Sequence, residues 1–485
     1  MHKLGFTFVF LLLIFWSCTL EENAPVFVST EEVLFVGGDK IRLSGRLLTN
    51  REVFAKDHGF IFSTTSSFAS PITLSLGEKN GPGRFIGEKG GFTIGQTYFV
   101  KAFAEVDGQR LEGEVVELKT LSPAVNSFTP SYGIAGGEVV IQGKNFPQGT
   151  KVFFGTQEAQ VLQNLFESKL TVKIPAPIGQ VVVPIKLIVQ NKEIVLPTPF
   201  EYQAGKFTKV SEFPGGLRIY DNTFFFNQTG FYVGLGKIKL GDNYPNFQRF
   251  QPSTGTWSEV SFPGAARRFA FASPNFLGGG ALETSRDVYQ FDRSFWKING
   301  SSFERLADLP FTSREALAVE VEGKLFLLGG LDGAGQVVRS YDPLLRTWTS
   351  KGNAPVALGK TGAALVYKGR ILVLASNGQL WEYSPSPDSW KLLTTYPGNK
   401  GQGYPMAEVI GNKAYLGLYR ATQELWELNL ETMVWKTKNQ IIGLPQSIHV
   451  GYFSYNGSIY FLRAPEESVS AVLPMELFKF DPDAI

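Results

Sequence analysis

From Lys206 to Ile485 the chain repeats one pattern of apolar or alternating runs, each about five residues long and closed by glycine, Asp-Pro or a polar turn. The clearest copy runs from Ala316 to Trp348. It opens with Ala316–Val321, turns at Glu322-Gly323, and continues apolar through Leu328 to the pair Gly329-Gly330. After a polar loop come Val338–Pro343 and then Arg346-Thr347-Trp348. Two-residue alternation and short buried runs predict strands, and nowhere do apolar residues recur at the spacing of a long amphipathic helix. An aromatic residue marks the last strand of each copy: Phe207, Trp257, Phe303, Trp348, Trp390 and Trp435.

Successive markers stand 42–50 residues apart. A period of that length with four strands per copy predicts a β-propeller, and six markers predict six blades. The chain finishes at Phe480-Asp481-Pro482, a third strand with no outer strand after it. Lys206–Val210 has the outer-strand pattern with no three strands before it. The two ends are therefore expected to complete one blade, so that the ring is closed by its N-terminal strand and leaves no bare sheet edge. The third strands are expected to end at Phe250-Gln251, Phe291-Asp292, Tyr341-Asp342, Tyr383-Ser384, Leu428-Asn429 and Phe480-Asp481. Paired glycines, then a tyrosine, then a tryptophan resemble Kelch repeats across residues 204–485.

Two smaller β domains are expected before the repeats. In residues 24–121, Ile41–Leu48 and Thr97–Val106 alternate like half-buried strands. Asp107-Gly108 is suited to a two-residue hairpin that returns through Glu114–Thr120, and His58, between Asp57 and Gly59, reads as a turn residue. A tyrosine entering the penultimate strand and a closing strand ending in threonine resemble a fibronectin type III-like sandwich. In residues 122–203 the stretch Phe128–Phe146 carries Pro130, Gly136-Gly137 and Gly143, followed by Val152–Gly155 and a closing Phe200-Glu201-Tyr202. This order resembles an IPT/TIG domain, an immunoglobulin-like sandwich, and implies a rigid spacer. Pro184 is expected at an edge or bulge.

The start of the chain has the pattern of an export signal: a basic Met1-His2-Lys3, then the apolar run Leu4–Trp16, then Ser17-Cys18. Residues 1–18 resemble a bacterial lipoprotein signal of Bacteroidota type, in which Cys18 would be lipidated. Residues 19–23, an acidic tether with Glu21 and Glu22, would then favour the cell surface over the periplasmic face of the outer membrane. An ordinary cleaved signal or an uncleaved anchor also fits the residues alone.

Composition narrows the function. A net charge of +2 with 19% charged residues offers no footprint for nucleic acid. One cysteine precludes an intramolecular disulfide, and three histidines, His2, His58 and His449, are too far apart in sequence for a histidine-based metal site. No cofactor, metal or catalytic motif is expected. The single histidine of the repeats and the absence of cysteine there also exclude the copper-radical oxidase chemistry known on Kelch scaffolds. Eleven or twelve residues past each marker come Arg218, Arg268, Arg314, Lys360, Gln402 and Gln446. These form the candidate ligand site, a ring of donors suited to carboxylates, sulfates or sugar hydroxyls. At the same position a basic residue could instead serve the loops. Tyr220, Trp296, Tyr404 and Tyr452 are candidate stacking surfaces that fit the core equally well. The chain reads as an all-β, lipid-anchored recognition module for a glycan or an envelope or extracellular protein, as a monomer or within an envelope complex. The alternatives are a sugar mutarotase or epimerase using Glu315, and a structural subunit of an envelope complex.

Overall fold

The computed structural model describes residues 24–239, 242–285 and 288–485. The signal segment and Cys18 lie outside them. The described residues form an all-β protein with one short 3-10 turn at Pro214–Gly216 and no α-helix. The chain divides into two compact units between Tyr202 and Gln203.

In the N-terminal unit, Phe27–Val36, Ile41–Leu48 and Gly83–Lys89 make one antiparallel sheet. A second sheet is centred on Phe54–Ser63 and Thr97–Val106. The inner faces of the two sheets share one core, including Ile41, Leu43, Phe60, Phe62, Tyr98 and Val100. The alternation of Thr97–Val106 buries Tyr98, Val100, Ala102, Ala104 and Val106 together. Phe103, on the other face, is covered by the Arg110 guanidinium at 4.2 Å. After Asp107-Gly108 the returning strand is Gln109–Glu112, and Val116–Lys119 then pairs with the first half of the same strand. His58 lies inside a strand and not in a turn: it is buried, its Nδ1 is 2.7 Å from Gly77 O, and its ring meets Phe85 edge-on.

Further along this unit, residues 124–195 supply a seven-stranded sheet, and Tyr132–Gly133, Val182–Val183 and Phe200–Tyr202 a three-stranded one. The chain passes from one sheet to the other at Pro184, whose carbonyl accepts the Gly155 N–H. Gly143 is required by close approach, since a Cβ there would lie 2.2 Å from Ala124 O.

The C-terminal unit contains six four-stranded antiparallel sheets. Their first strands are Thr223–Asn227, Phe271–Ala272, Leu317–Val321, Ala363–Tyr367, Met406–Ile410 and Ser447–Tyr455. These first strands neighbour one another in that order, and the sixth also neighbours the first. Every marker aromatic sits on the fourth strand of its sheet, opposite Phe480, Phe250, Ile298, Tyr341, Tyr383 and Leu428 in turn. Ile298 replaces the expected Phe291. Phe291 belongs to an inserted hairpin, Ala281–Ser285 with Val288–Phe291, whose Phe-Asp ending mimics the third-strand pattern.

The outer strand of the sixth sheet is Lys206–Glu212, paired antiparallel with Glu476–Asp481. Phe207 packs against Phe480, the rings tilted by 35° with centroids 4.5 Å apart, and meets Phe461 edge-on at 5.8 Å. Apart from Trp16, the chain's tryptophans, seven of its eight, all fall in this unit, so tryptophan fluorescence follows its unfolding. Phe207→Ala should destabilise the fluorescence-detected urea transition by about 2 kcal/mol. A change within error would mean that the strand is dispensable.

Candidate functional site

The chain enters each of the six sheets by a loop, and these loops meet at the N-terminal ends of the first strands. Asp221, Phe269, Glu315 and Tyr404 each stand two residues before their strand, and all four are left-handed, with φ of 52°, 63°, 61° and 54°. Non-glycine residues are uncommon in that region, which carries a cost of about 1–3 kcal/mol each and is concentrated at functional sites.

Hydrogen bonds between neighbouring loops hold the conformation. Phe269 N–H donates to Asp221 O at 2.9 Å, Glu315 N–H to Phe269 O at 3.0 Å, Lys360 N–H to Glu315 O at 2.9 Å and Tyr404 N–H to Thr361 O at 3.0 Å. His449 Nε2–H donates to Tyr404 O at 2.8 Å, and Asn222 Nδ2 donates to Val450 O at 2.6 Å, which returns the relay to its first loop.

Inside this relay lies a cavity of about 900 Å³, counting its open mouth. Its aromatic wall includes Tyr220, Phe224, Phe269, Tyr404 and Tyr452, and its ionisable groups include Asp221, Glu315 and Lys360. Two further carboxylates of the lining are already paired, Glu466 with Arg420 at 3.0 Å and Glu467 with Lys237 at 2.9 Å. The Asp221 and Glu315 carboxylates have no hydrogen-bond partner among the described residues. Burial raises both pKa values, and the Lys360 charge offsets only part of the effect. Lys360 Nζ donates to Asn222 O at 2.7 Å; its pKa is lowered by burial, with Glu315 and Asp221 opposing. His449 is pushed down to about 4 by burial, so it is a neutral imidazole that fixes the Tyr404 loop.

Beyond Lys360 the space continues between the first strands. Phe224, Leu317, Lys360 and Tyr452 border both chambers, and the second also reaches Phe226, Glu408 and Ser454. Burial pushes the Glu408 carboxyl up to about 7, with a Ser454 hydrogen bond opposing.

Of the six residues expected to form the site, Lys360 alone lines the first chamber. Arg218 donates to Val469 O at 3.2 Å and to Ala471 O, anchoring a loop of the sixth sheet. Arg268 bonds Asn243 at 2.8 Å and pairs with Glu283. Arg314 clamps Asp332 through Nε at 3.1 Å and Nη2 at 2.8 Å, with its guanidinium 4.7 Å from the Tyr289 ring centroid. Gln402 and Gln446 are exposed. A constant offset from the outer-strand aromatic misses the cavity because the loops differ in length. The cavity residues stand twelve residues past the marker at Phe269, Glu315 and Lys360, and fourteen past it at Asp221, Tyr404 and His449. Counting back two residues from each inner strand would have found Asp221 and Phe269, which the fixed offset passes over.

Residues 123–202 match the IPT/TIG domain family. An F-box/kelch-repeat protein of Arabidopsis thaliana is 26% identical over 220 residues, which is 42% of this chain and 54% of that protein. The chain thus spans about half the length of this curated relative. Among solved structures, YjhT aligns over 55% of this chain and 94% of its own, with 14% identity and a TM-score of 0.44. A structural genomics protein of unknown function from Bacteroides thetaiotaomicron VPI-5482 aligns over 74% of this chain and 98% of its own, with 13% identity and a TM-score of 0.36.

Glu408 provides a test of the channel's electrostatics. Its folded pKa of about 7 exceeds the ordinary value of 4.5, so the unfolded chain loses the proton first. Stability associated with this group therefore declines from about pH 4.5 and the decline is complete above about pH 7. Channel solvent reduces the effect, leaving about 1–3 kcal/mol. Glu408→Gln should be more stable than the parent by that amount at pH 8 and nearly equal to it at pH 4. Equal urea midpoints for the two proteins at both pH values would refute the assignment.

Proposed function

We propose that the six sheets are the blades of a closed Kelch-like β-propeller whose central cavity binds a hydroxyl-rich glycan unit without transforming it. The two N-terminal sandwiches, the first fibronectin type III-like and the second of the IPT/TIG type, serve as a spacer. Lipidation of Cys18 tethers the chain to the outer membrane, facing the cell exterior. Similarity to a kelch-repeat protein and to the IPT/TIG family supports a binding module.

The observation that carries the ligand class is the pair of carboxylates, Asp221 and Glu315, held beside Lys360 within an aromatic wall and left without hydrogen-bond partners among the described residues. Buried polar groups demand partners, and sugar hydroxyls supply them: they donate to carboxylates and accept from an ammonium. Tyr404 and Phe269 offer faces to the apolar side of a pyranose. Arg218, Arg268 and Arg314, which could have received an anion, are engaged with backbone carbonyls, Glu283 and Asp332. The free acidic groups therefore favour a neutral sugar over a carboxylated or sulfated one.

A second reading rests on the same carboxylates. Burial favours their protonated forms at higher pH than usual, as a proton-transferring epimerase or mutarotase would require.

A glycan screen with the purified full chain tests the assignment. Glu315→Gln should weaken the best neutral glycan at least tenfold, whereas Arg314→Ala should leave its affinity within twofold. Loss of binding in Arg314→Ala with retention in Glu315→Gln would overturn the cavity assignment. Anomer or epimer conversion by the parent, followed by NMR and abolished in Glu315→Gln, would establish the catalytic reading instead.

A further inference from the structure

A second crevice, separate from the channel, opens between the fifth and sixth sheets of the C-terminal unit. It occupies about 600 Å³, counting its mouth, and its apolar wall includes Ile441, Leu444, Leu473, Pro474 and Phe478. Arg463 stands at its base, on the strand Ser458–Pro465, and is only 5% exposed.

This arginine lacks the compensation expected of a buried guanidinium. Nη2 donates to Thr422 O at 3.1 Å, and the rest of its five N–H donors have no acceptor among the described residues. No carboxylate there lies within ion-pair distance of it. Glu476 pairs with it across the sheet and also lines the crevice, but that carboxylate is held by Lys209 at 2.8 Å. His449, its neighbour on the other side, is neutral and bonds the Tyr404 carbonyl. Burial lowers the Arg463 pKa to about 10, so the group remains cationic at neutral pH. A buried, unpaired charge is costly.

We infer that Arg463 and this crevice form a binding site for a small monocarboxylate with an apolar body. The guanidinium fork receives the carboxylate, and the aliphatic wall receives the hydrocarbon. One cation with no second beside it matches a monoanion and not a phosphate dianion. The strongly exposed Ile442 extends the apolar surface outward at the mouth.

Titration of the full chain with hexanoate and with hexanamide, read by calorimetry, tests the site. Hexanoate should bind the parent at least tenfold more tightly than its uncharged amide. Arg463→Met should abolish that preference without lowering the melting temperature, because it removes an uncompensated buried charge. Leu473→Glu, at the partly exposed mouth, should weaken hexanoate at least tenfold and provides the readout should Arg463→Met fail to fold. Equal binding of acid and amide by the parent, no binding of either, or undiminished binding in Leu473→Glu would overturn the proposal. A lower melting temperature in Arg463→Met with hexanoate preference intact would assign Arg463 to the scaffold and also overturn it.

Discussion

The pairing of Lys206–Glu212 with Glu476–Asp481 is the constraint on which the C-terminal unit depends. A third strand with nothing beside it would present a row of unpaired backbone groups, and Lys206–Glu212 covers that edge. Taking the covering strand from the beginning of the repeat places the first and last loops side by side. Asn222 can then donate to Val450 O, and Asp221 shares a cavity with His449. The cavity thus draws its lining from loops along the whole stretch of 280 residues (206–485), and its first and last loops are joined where the two ends of that stretch meet.

The repeat was legible because strand pairing and burial leave a short-range signature. Marker aromatics, apolar runs and turn residues must recur wherever four strands pack as one sheet, and each marker stands where its pattern placed it. The second sheet shows the limit. A hairpin inserted before its third strand carries Phe291-Asp292, chemically equivalent to Tyr341-Asp342, and local pattern cannot distinguish them. Only the pairing of Phe295–Asn299 with the second and fourth strands does so.

The site was less legible because its charges are sorted by distant pairing. Arg314 and Glu315 are adjacent in sequence, yet one is clamped by Asp332 while the other lines the cavity. A left-handed φ at Glu315 accompanies that divergence, and nothing in the residue types announces it. Net charge was equally uninformative: a nearly neutral chain concentrates unpartnered carboxylates in the channel while its nearby arginines are satisfied elsewhere.

Comparison of buried charges within the C-terminal unit separates structural groups from those available to ligands. Glu427 receives both Lys413 at 3.1 Å and Lys438 at 3.3 Å, and the coulombic pull of these lysines keeps its pKa low despite burial. Arg267 is likewise compensated, bonding Asp292 at 2.7 Å, Ser294 at 2.6 Å and two backbone carbonyls. These groups can be buried because each has been given opposite charge or several acceptors, and removal of one partner would strand the other. Asp221, Glu315 and Arg463 lack that satisfaction, and each borders open space. Lys360 has one backbone carbonyl and two carboxylates too distant for a direct ion pair. Folding alone gains nothing from such an arrangement, since apolar residues of similar size would fill these positions at lower cost. Incomplete compensation next to a cavity is therefore the physical property that the two proposed sites share, although the ligands proposed for them differ: a hydroxyl-rich surface for the acidic channel, and a carboxylate for the lone arginine.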